Sequence, residues 1–149
     1  SFVSLDLSSF NTSKVTNMQF MFGGANLTKL DLSKFNTSKV ENMESMFQLC
    51  QALTTVNLGG KFNTKSAVSL NSMFSSCEAL NDLDLNNFNT KNVEDMTEMF
   101  KDCFYLTNAT INSPFKITAL MEDDSMFDGC ELDEAAQKRI ISKQNGEML

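Results

Sequence analysis

The stretch Leu30-Asp31-Leu32-Ser33-Lys34-Phe35-Asn36-Thr37-Ser38-Lys39-Val40-Glu41-Asn42-Met43-Glu44-Ser45-Met46-Phe47 holds the organisation of the whole chain in eighteen residues. Its two phenylalanines stand twelve residues apart, and the same pair recurs as Phe10 and Phe22, Phe62 and Phe74, Phe88 and Phe100, and Phe115 and Phe127. The spacing defines five copies of one unit, 25 to 27 residues long. A fixed period of this size marks a solenoid, because such a unit cannot bury its apolar face except against its neighbours. Function is then expected on a surface shared by several units, not in a catalytic pocket.

Each part of the unit has a local reading. Leu30-Asp31-Leu32 alternates apolar and polar, and recurs as Leu5-Asp6-Leu7, Val56-Asn57-Leu58, Leu83-Asp84-Leu85 and Ala109-Thr110-Ile111. Such alternation predicts a short strand with one face inward. Phe-Asn-Thr follows in four copies, beginning at Phe10, Phe35, Phe62 and Phe88. Asn and Thr suit a turn that leads into a helix N-cap, and Ser38 with Glu41 fits a capping box. Val40, Met43, Met46 and Phe47, like Val93, Met96, Met99 and Phe100, have spacings of three and four. That pattern predicts a helix in each unit, with the methionines as core filler and Glu41, Glu44, Glu94, Asp95 and Glu98 on its solvated side. Three residues after the second phenylalanine comes a cysteine, at Cys50, Cys77, Cys103 and Cys130, with Ala25 in the first unit.

These residues resemble the bacterial surface-protein repeat family related to BspA, which is of the leucine-rich-repeat type. The resemblance runs from Phe2 to about Cys130 and recurs in all five units. It implies an α/β solenoid: a right-handed, leucine-rich-repeat-like stack of short parallel strands and helices. It also implies secretion or display on a bacterial surface, and adhesion to host or matrix proteins.

After Cys130 the repeat pattern stops, and Leu132 to Lys143 reads as a capping helix with Leu132, Ala136 and Ile140 on one face. Acidic Asp133 and Glu134 near its start, and Lys138, Arg139 and Lys143 near its end, complement the helix dipole. Two regions are therefore expected: a repeat solenoid over residues 1–131 and a capping helix with tail over 132–149. The fifth unit is irregular, since Asp123 takes a slot where a buried Met is expected and Pro114 precedes Phe115. At the front, Phe2 and Leu5 already lie inside the strand pattern, which predicts a unit cut from a longer array or a processed form.

Composition excludes much. The chain has 149 residues, a formal net charge of −7, and no histidine or tryptophan. Without histidine, Ser-His-Asp and Cys-His nucleophiles and the commonest zinc ligands are missing. The acidic balance, with no basic cluster expected, argues against nucleic acid as a partner, since phosphate contacts need clustered Lys and Arg. Neither a bilayer-length apolar run nor a signal peptide is readable. No cofactor motif is present. The cysteines admit three readings: a ladder of buried free thiols, disulfides between neighbouring units, or a metal site that lacks CxxC spacing. Glu122, Asp123, Asp124 and Asp128 could suggest calcium, yet no Asp-x-Asp-x-Asp-Gly loop accompanies them.

The outward strand column of Asp6, Asp31, Asn57 and Asp84, beside Lys29, Thr55 and Asp82, is the candidate partner-binding face. Sheet faces in repeat arrays form extended binding surfaces. The expected function is a non-enzymatic, surface-displayed module that adheres to a host or matrix protein or a glycan. The alternatives are a structural spacer in a larger surface protein and, more remotely, a hydrolase using paired carboxylates. The expected state is a monomer, or weak end-to-end self-association.

Overall fold

The computed structural model describes residues 5–117 and 125–143. Six short strands and one helix run in the order β1 (Lys29–Asp31), β2 (Thr55–Asn57), β3 (Asp82–Asp84), β4 (Asn108–Thr110), β5 (Phe115–Ile117), α1 (Glu134–Ile140) and β6 (Ile141–Lys143). They pair in parallel as β1–β2, β3–β4 and β5–β6. Leu30 sits opposite Val56 and Leu83 opposite Ala109, so each unit lies on the equivalent position of the next. The result is a repeat-like stack of short parallel strands, and among the described residues no sheet closes on itself.

The helices expected within the units are absent from the described residues, and the apolar spacing has another origin. Along residues 43–50 the backbone N–H groups divide into two sets. Those of Met43, Ser45, Phe47 and Leu49 donate to the carbonyls of Ser69, Asn71, Met73 and Ser75 in the next unit. Those of Met46, Gln48 and Cys50 donate three residues back, to Met43, Ser45 and Phe47. The chain therefore makes overlapping tight turns while pairing with its neighbour like a strand. Ser45 (φ 55°) and Leu49 (φ 63°) take left-handed backbone, which no α-helix accommodates. The same positions are left-handed at Phe20 and Gly24, at Ser72 and Ser76, and at Glu98 and Asp102. Isolated bridges Asn17–Asn42, Asn42–Ser69 and Ser69–Asp95 carry this turn ladder across four units.

Polar side chains complete the ladder. Asn36 Oδ1 accepts from the Ser38 N–H and Asn42 Oδ1 from the Glu44 N–H, holding local turns. The threonines do not cap helices. Thr37 is fully buried, and its hydroxyl donates to the Asn63 carbonyl (2.6 Å) and accepts from the Asn63 N–H (2.7 Å) in the next unit. Thr12 binds Asn36 and Thr64 binds Asn89 in the same way, and the Lys116 N–H donates to Thr90.

The core fills the space between strands and turns. Phe22, Phe47, Phe74, Phe100 and Phe127 form a column of near-parallel rings with centroids 5.1 to 5.9 Å apart. Phe35, Phe62, Phe88 and Phe115 are buried beside it, while Phe10 stays 57% exposed. Met43, Met46, Met73 and Met99 are fully buried, in line with their expected filling role.

Strand pairing is interrupted between β2 and β3. The third unit carries Leu58-Gly59-Gly60-Lys61 where the second has Leu32-Ser33-Lys34, one residue more before its first phenylalanine. Gly59 absorbs that residue at φ +72°, and a Cβ there would lie 2.6 Å from the Ser33 Cα. Only glycine fits this close approach.

The C-terminal helix is shorter than expected. Asp133 caps it by accepting from the Ala136 N–H at 2.7 Å, and Ala136 and Ile140 face inward with Leu132. Residues 141–143, expected to be helical, instead form β6, with Ile141 opposite Phe115. Ile141 comes 26 residues after Phe115, so it takes the place of a sixth first-phenylalanine and is buried. The irregularity expected around Asp123 lies outside the described residues.

Candidate functional site

Three-residue strands with a buried centre put their first and third side chains on one outer face. Lys29 and Asp31 flank buried Leu30, and Asp82 and Asp84 flank buried Leu83. Parallel register sets Lys29 beside Thr55, Asp31 beside Asn57, Asp82 beside Asn108 and Asp84 beside Thr110. Side-chain bonds cross the layers: Asn57 Nδ2 donates to Asp31 Oδ1 (3.4 Å), Asn108 Nδ2 to Asp82 Oδ1 (2.9 Å) and the Thr110 hydroxyl to Asp84 Oδ1 (3.4 Å). Asp6 is exposed but lies outside any strand.

The face is grooved. One depression of about 350 Å3 is lined by Leu5, Lys29, Asp31, Thr55, Val56 and Asn57, among others. A second, of about 240 Å3, opens at the interrupted pairing and is lined by Asn57, Gly59, Gly60, Asp84, Asn87 and Phe88, with Val56 again at its side. Lys29, Asp31, Thr55 and Asn57 thus converge, and Asp84 stands across the seam. Asp6 and Asp82 line neither depression. Half-buried Val56, the Gly59-Gly60 lip and Asn87, whose Nδ2 reaches the Gly59 carbonyl at 3.3 Å, complete the surface. The doubled glycine and the added residue are the signals in the sequence that point to this second depression.

The carboxylates here are set up as acceptors. The hydroxyl and the N–H of Ser8 hold the Asp6 carboxyl below the usual range, and the N–H of Ser33 does the same for Asp31. Asp84 accepts from the Asn86 N–H at 2.9 Å. The lowered Asp6 and Asp31 carboxyls stay ionised at neutral pH, the opposite of what a general acid needs.

The cysteines line up in register and are free thiols. Cys50, Cys77 and Cys103 each donate Sγ–H to the second-phenylalanine carbonyl of the preceding unit, Phe22, Phe47 and Phe74, at 3.0 to 3.2 Å. Burial pushes the Cys50 thiol up to about 11 and raises Cys77, Cys103 and Cys130 as well. Such thiols are structural donors with little thiolate character. Among the described residues no three His, Cys, Asp or Glu side chains are grouped to hold a metal ion. Glu122, Asp123 and Asp124 lie outside those residues, and Asp128 contributes its carbonyl to the turn ladder. No helix among the described residues is long and apolar enough to cross a membrane.

Residues 1–60 and 56–140 match the family model described as "Mycoplasma protein of unknown function, DUF285", a bacterial repeat-type family. Comparison with curated proteins returned no match, and comparison with solved structures returned none.

Proposed function

The chain belongs to the DUF285 family, and from that premise we propose that it is a non-enzymatic binding module displayed on a bacterial surface or secreted. The proposed architecture is a right-handed, leucine-rich-repeat-like solenoid related to the BspA type, with adhesion to a host or matrix protein as its role. The observation that carries the reading is the grooved strand face. Lys29, Asp31, Thr55 and Asn57 meet in one depression, and a second adjoins it with Asp84. This face offers ionised acceptors, amides and the half-buried Val56 side chain. That mixture suits a polypeptide surface. The low-lying Asp6 and Asp31 carboxyls favour recognition over proton transfer.

The test replaces Asp31, Asn57 and Asp84 together by Ala and measures binding to immobilised fibronectin, laminin and collagen. All three side chains are exposed, so the circular dichroism spectrum should be unchanged while affinity falls at least about tenfold. Equal binding by variant and parent, or no binding by the parent to any of the three, would count against this face and favour a spacer role.

A further inference from the structure

A second surface lies at the corner between the strands and the turn ladder. The chain carries twelve Lys and Arg residues; six of them, Lys14, Lys34, Lys39, Lys61, Lys65 and Lys91, fall in or beside the four Phe-Asn-Thr segments, and a seventh, Lys116, follows the first phenylalanine of the fifth unit. Along the chain these lysines are scattered over about a hundred residues, which is why no cluster is readable there. The fold gathers them. Hydrogen bonds from Thr12 to Asn36, Thr37 to Asn63, Thr64 to Asn89 and Lys116 to Thr90 lay each corner on the next. Every one of the seven lysines is exposed. Neither ion pair found among the described residues, Lys101–Glu98 and Lys138–Glu134, involves them. Segments 9–15, 34–40, 61–67, 87–93 and 114–117 contain no Asp or Glu at all. In a protein of net charge −7, one edge is thus a cationic ribbon. At about 4.8 Å per layer, five layers span about 20 Å with one or two cations each.

We propose that this ribbon binds a linear polyanionic glycan, a sulfated or carboxylated polysaccharide laid along the stack. Three observations select that class. The cations recur at the layer spacing, comparable to the advance of one sugar residue along an extended chain. Between them lie hydroxyl and amide groups, such as Asn36, Ser38, Asn63 and Asn89, suited to sugar hydroxyls. The ribbon also ends in a concave seat of about 320 Å3, lined by Asn89, Thr90, Lys91, Ser113, Pro114 and Lys116, with Phe88 at its base. A single-stranded nucleic acid would need aromatic platforms for its bases. Here Phe35, Phe62, Phe88 and Phe115 are turned into the core, and Phe10, in the first layer, is the one first-phenylalanine exposed along the described ribbon. Acidic residues border the ribbon on both sides, Asp31 beside Lys34 and Glu41 beyond Lys39, and confine a polyanion to it.

The test titrates the protein with a size-defined heparin oligosaccharide and, separately, with single-stranded DNA of equal charge. The parent should bind the oligosaccharide, at least about tenfold more weakly at about 200 mM salt than at about 50 mM. Replacing Lys39, Lys61 and Lys65 by Gln should cost at least about tenfold in affinity, and replacement of the same three by Arg should retain binding. Replacing Lys101, Lys138 and Arg139 by Gln makes the same change in net charge off the ribbon, and should cost less than about threefold. No binding by the parent, equal losses in the two Gln variants, or tighter binding of the DNA would each overturn the proposal. All three variants leave Asp31, Asn57 and Asp84 in place, so this reading and that of the strand face can fail separately.

Discussion

Thr37 illustrates how one small side chain joins two layers of this fold. Its hydroxyl is simultaneously donor and acceptor to the carbonyl and N–H of Asn63, two groups that have no other partner in the ladder. Valine has the same shape without the hydroxyl, so Thr37→Val strands both Asn63 groups at a half-buried corner. The expected loss is about 2 kcal/mol in urea unfolding, with Thr37→Ser losing about 1 kcal/mol or less. If Val proves as stable as Thr, the hydroxyl is not what holds the corners together. The recurrence of Phe-Asn-Thr is legible in the sequence; the role of its threonine is not. Asn and Thr ahead of an apolar run satisfy every local rule for an N-cap, and only the neighbour 26 residues away shows that the hydroxyl works between layers. The cysteine register is readable for the opposite reason. A single type of residue recurs at one slot, and its thiol needs only the carbonyl of the preceding layer. Ala25 occupies that slot in the first unit.

At the scale of elements, spacing alone does not separate a helix from a ladder of tight turns. Val40, Met43 and Met46 recur every three residues, and so do Phe47, Cys50 and Leu53. A helix drifts off such a pattern, whereas turns closing three residues back keep it. Gly24 and Gly129 occupy the slot of left-handed Leu49, Ser76 and Asp102, and they are the readable sign that the backbone there is not helical. The break between β2 and β3 follows from the extra residue before Phe62. Deleting Gly60 restores the 26-residue spacing of β1 to β2, and should let Asn57 and Asp84 pair as Asp31 and Asn57 do. Amide exchange would show it: the Leu58 N–H becomes protected, as that of Leu32 is by the Asn57 carbonyl. If that amide still exchanges freely, the seam has another cause. The same deletion should close the depression that adjoins the strand face, tying this element to the proposed recognition of a partner.

Across the described layers of the whole molecule the tight turns share one direction. Along residues 43–49 and at the matching positions, alternate N–H groups donate to the following unit and alternate carbonyls accept from the preceding one, while at the start of each ladder Glu41, Val68 and Glu94 donate back to the Thr16, Glu41 and Val68 carbonyls. Layers therefore add in one orientation, and like side chains fall into columns: phenylalanines inside, carboxylates and amides on the strand face, lysines along the corner. Two surfaces of opposite character on one thin stack come from the period itself. Energetics should follow the same geometry, since a layer exchanges contacts with its neighbours alone. Phe74 lies at the centre of the ring column, stacked on Phe47 at 5.1 Å and on Phe100 at 5.9 Å, and is fully buried. Phe127 is the last ring, half-buried, and stacks on Phe100 at 5.6 Å. Phe74→Ala should cost about 4 kcal/mol and Phe127→Ala about half of that, both read from denaturant midpoints at constant m. Equal costs at the centre and the end would mean that stability is set globally, and would remove the nearest-neighbour basis on which both surfaces are built.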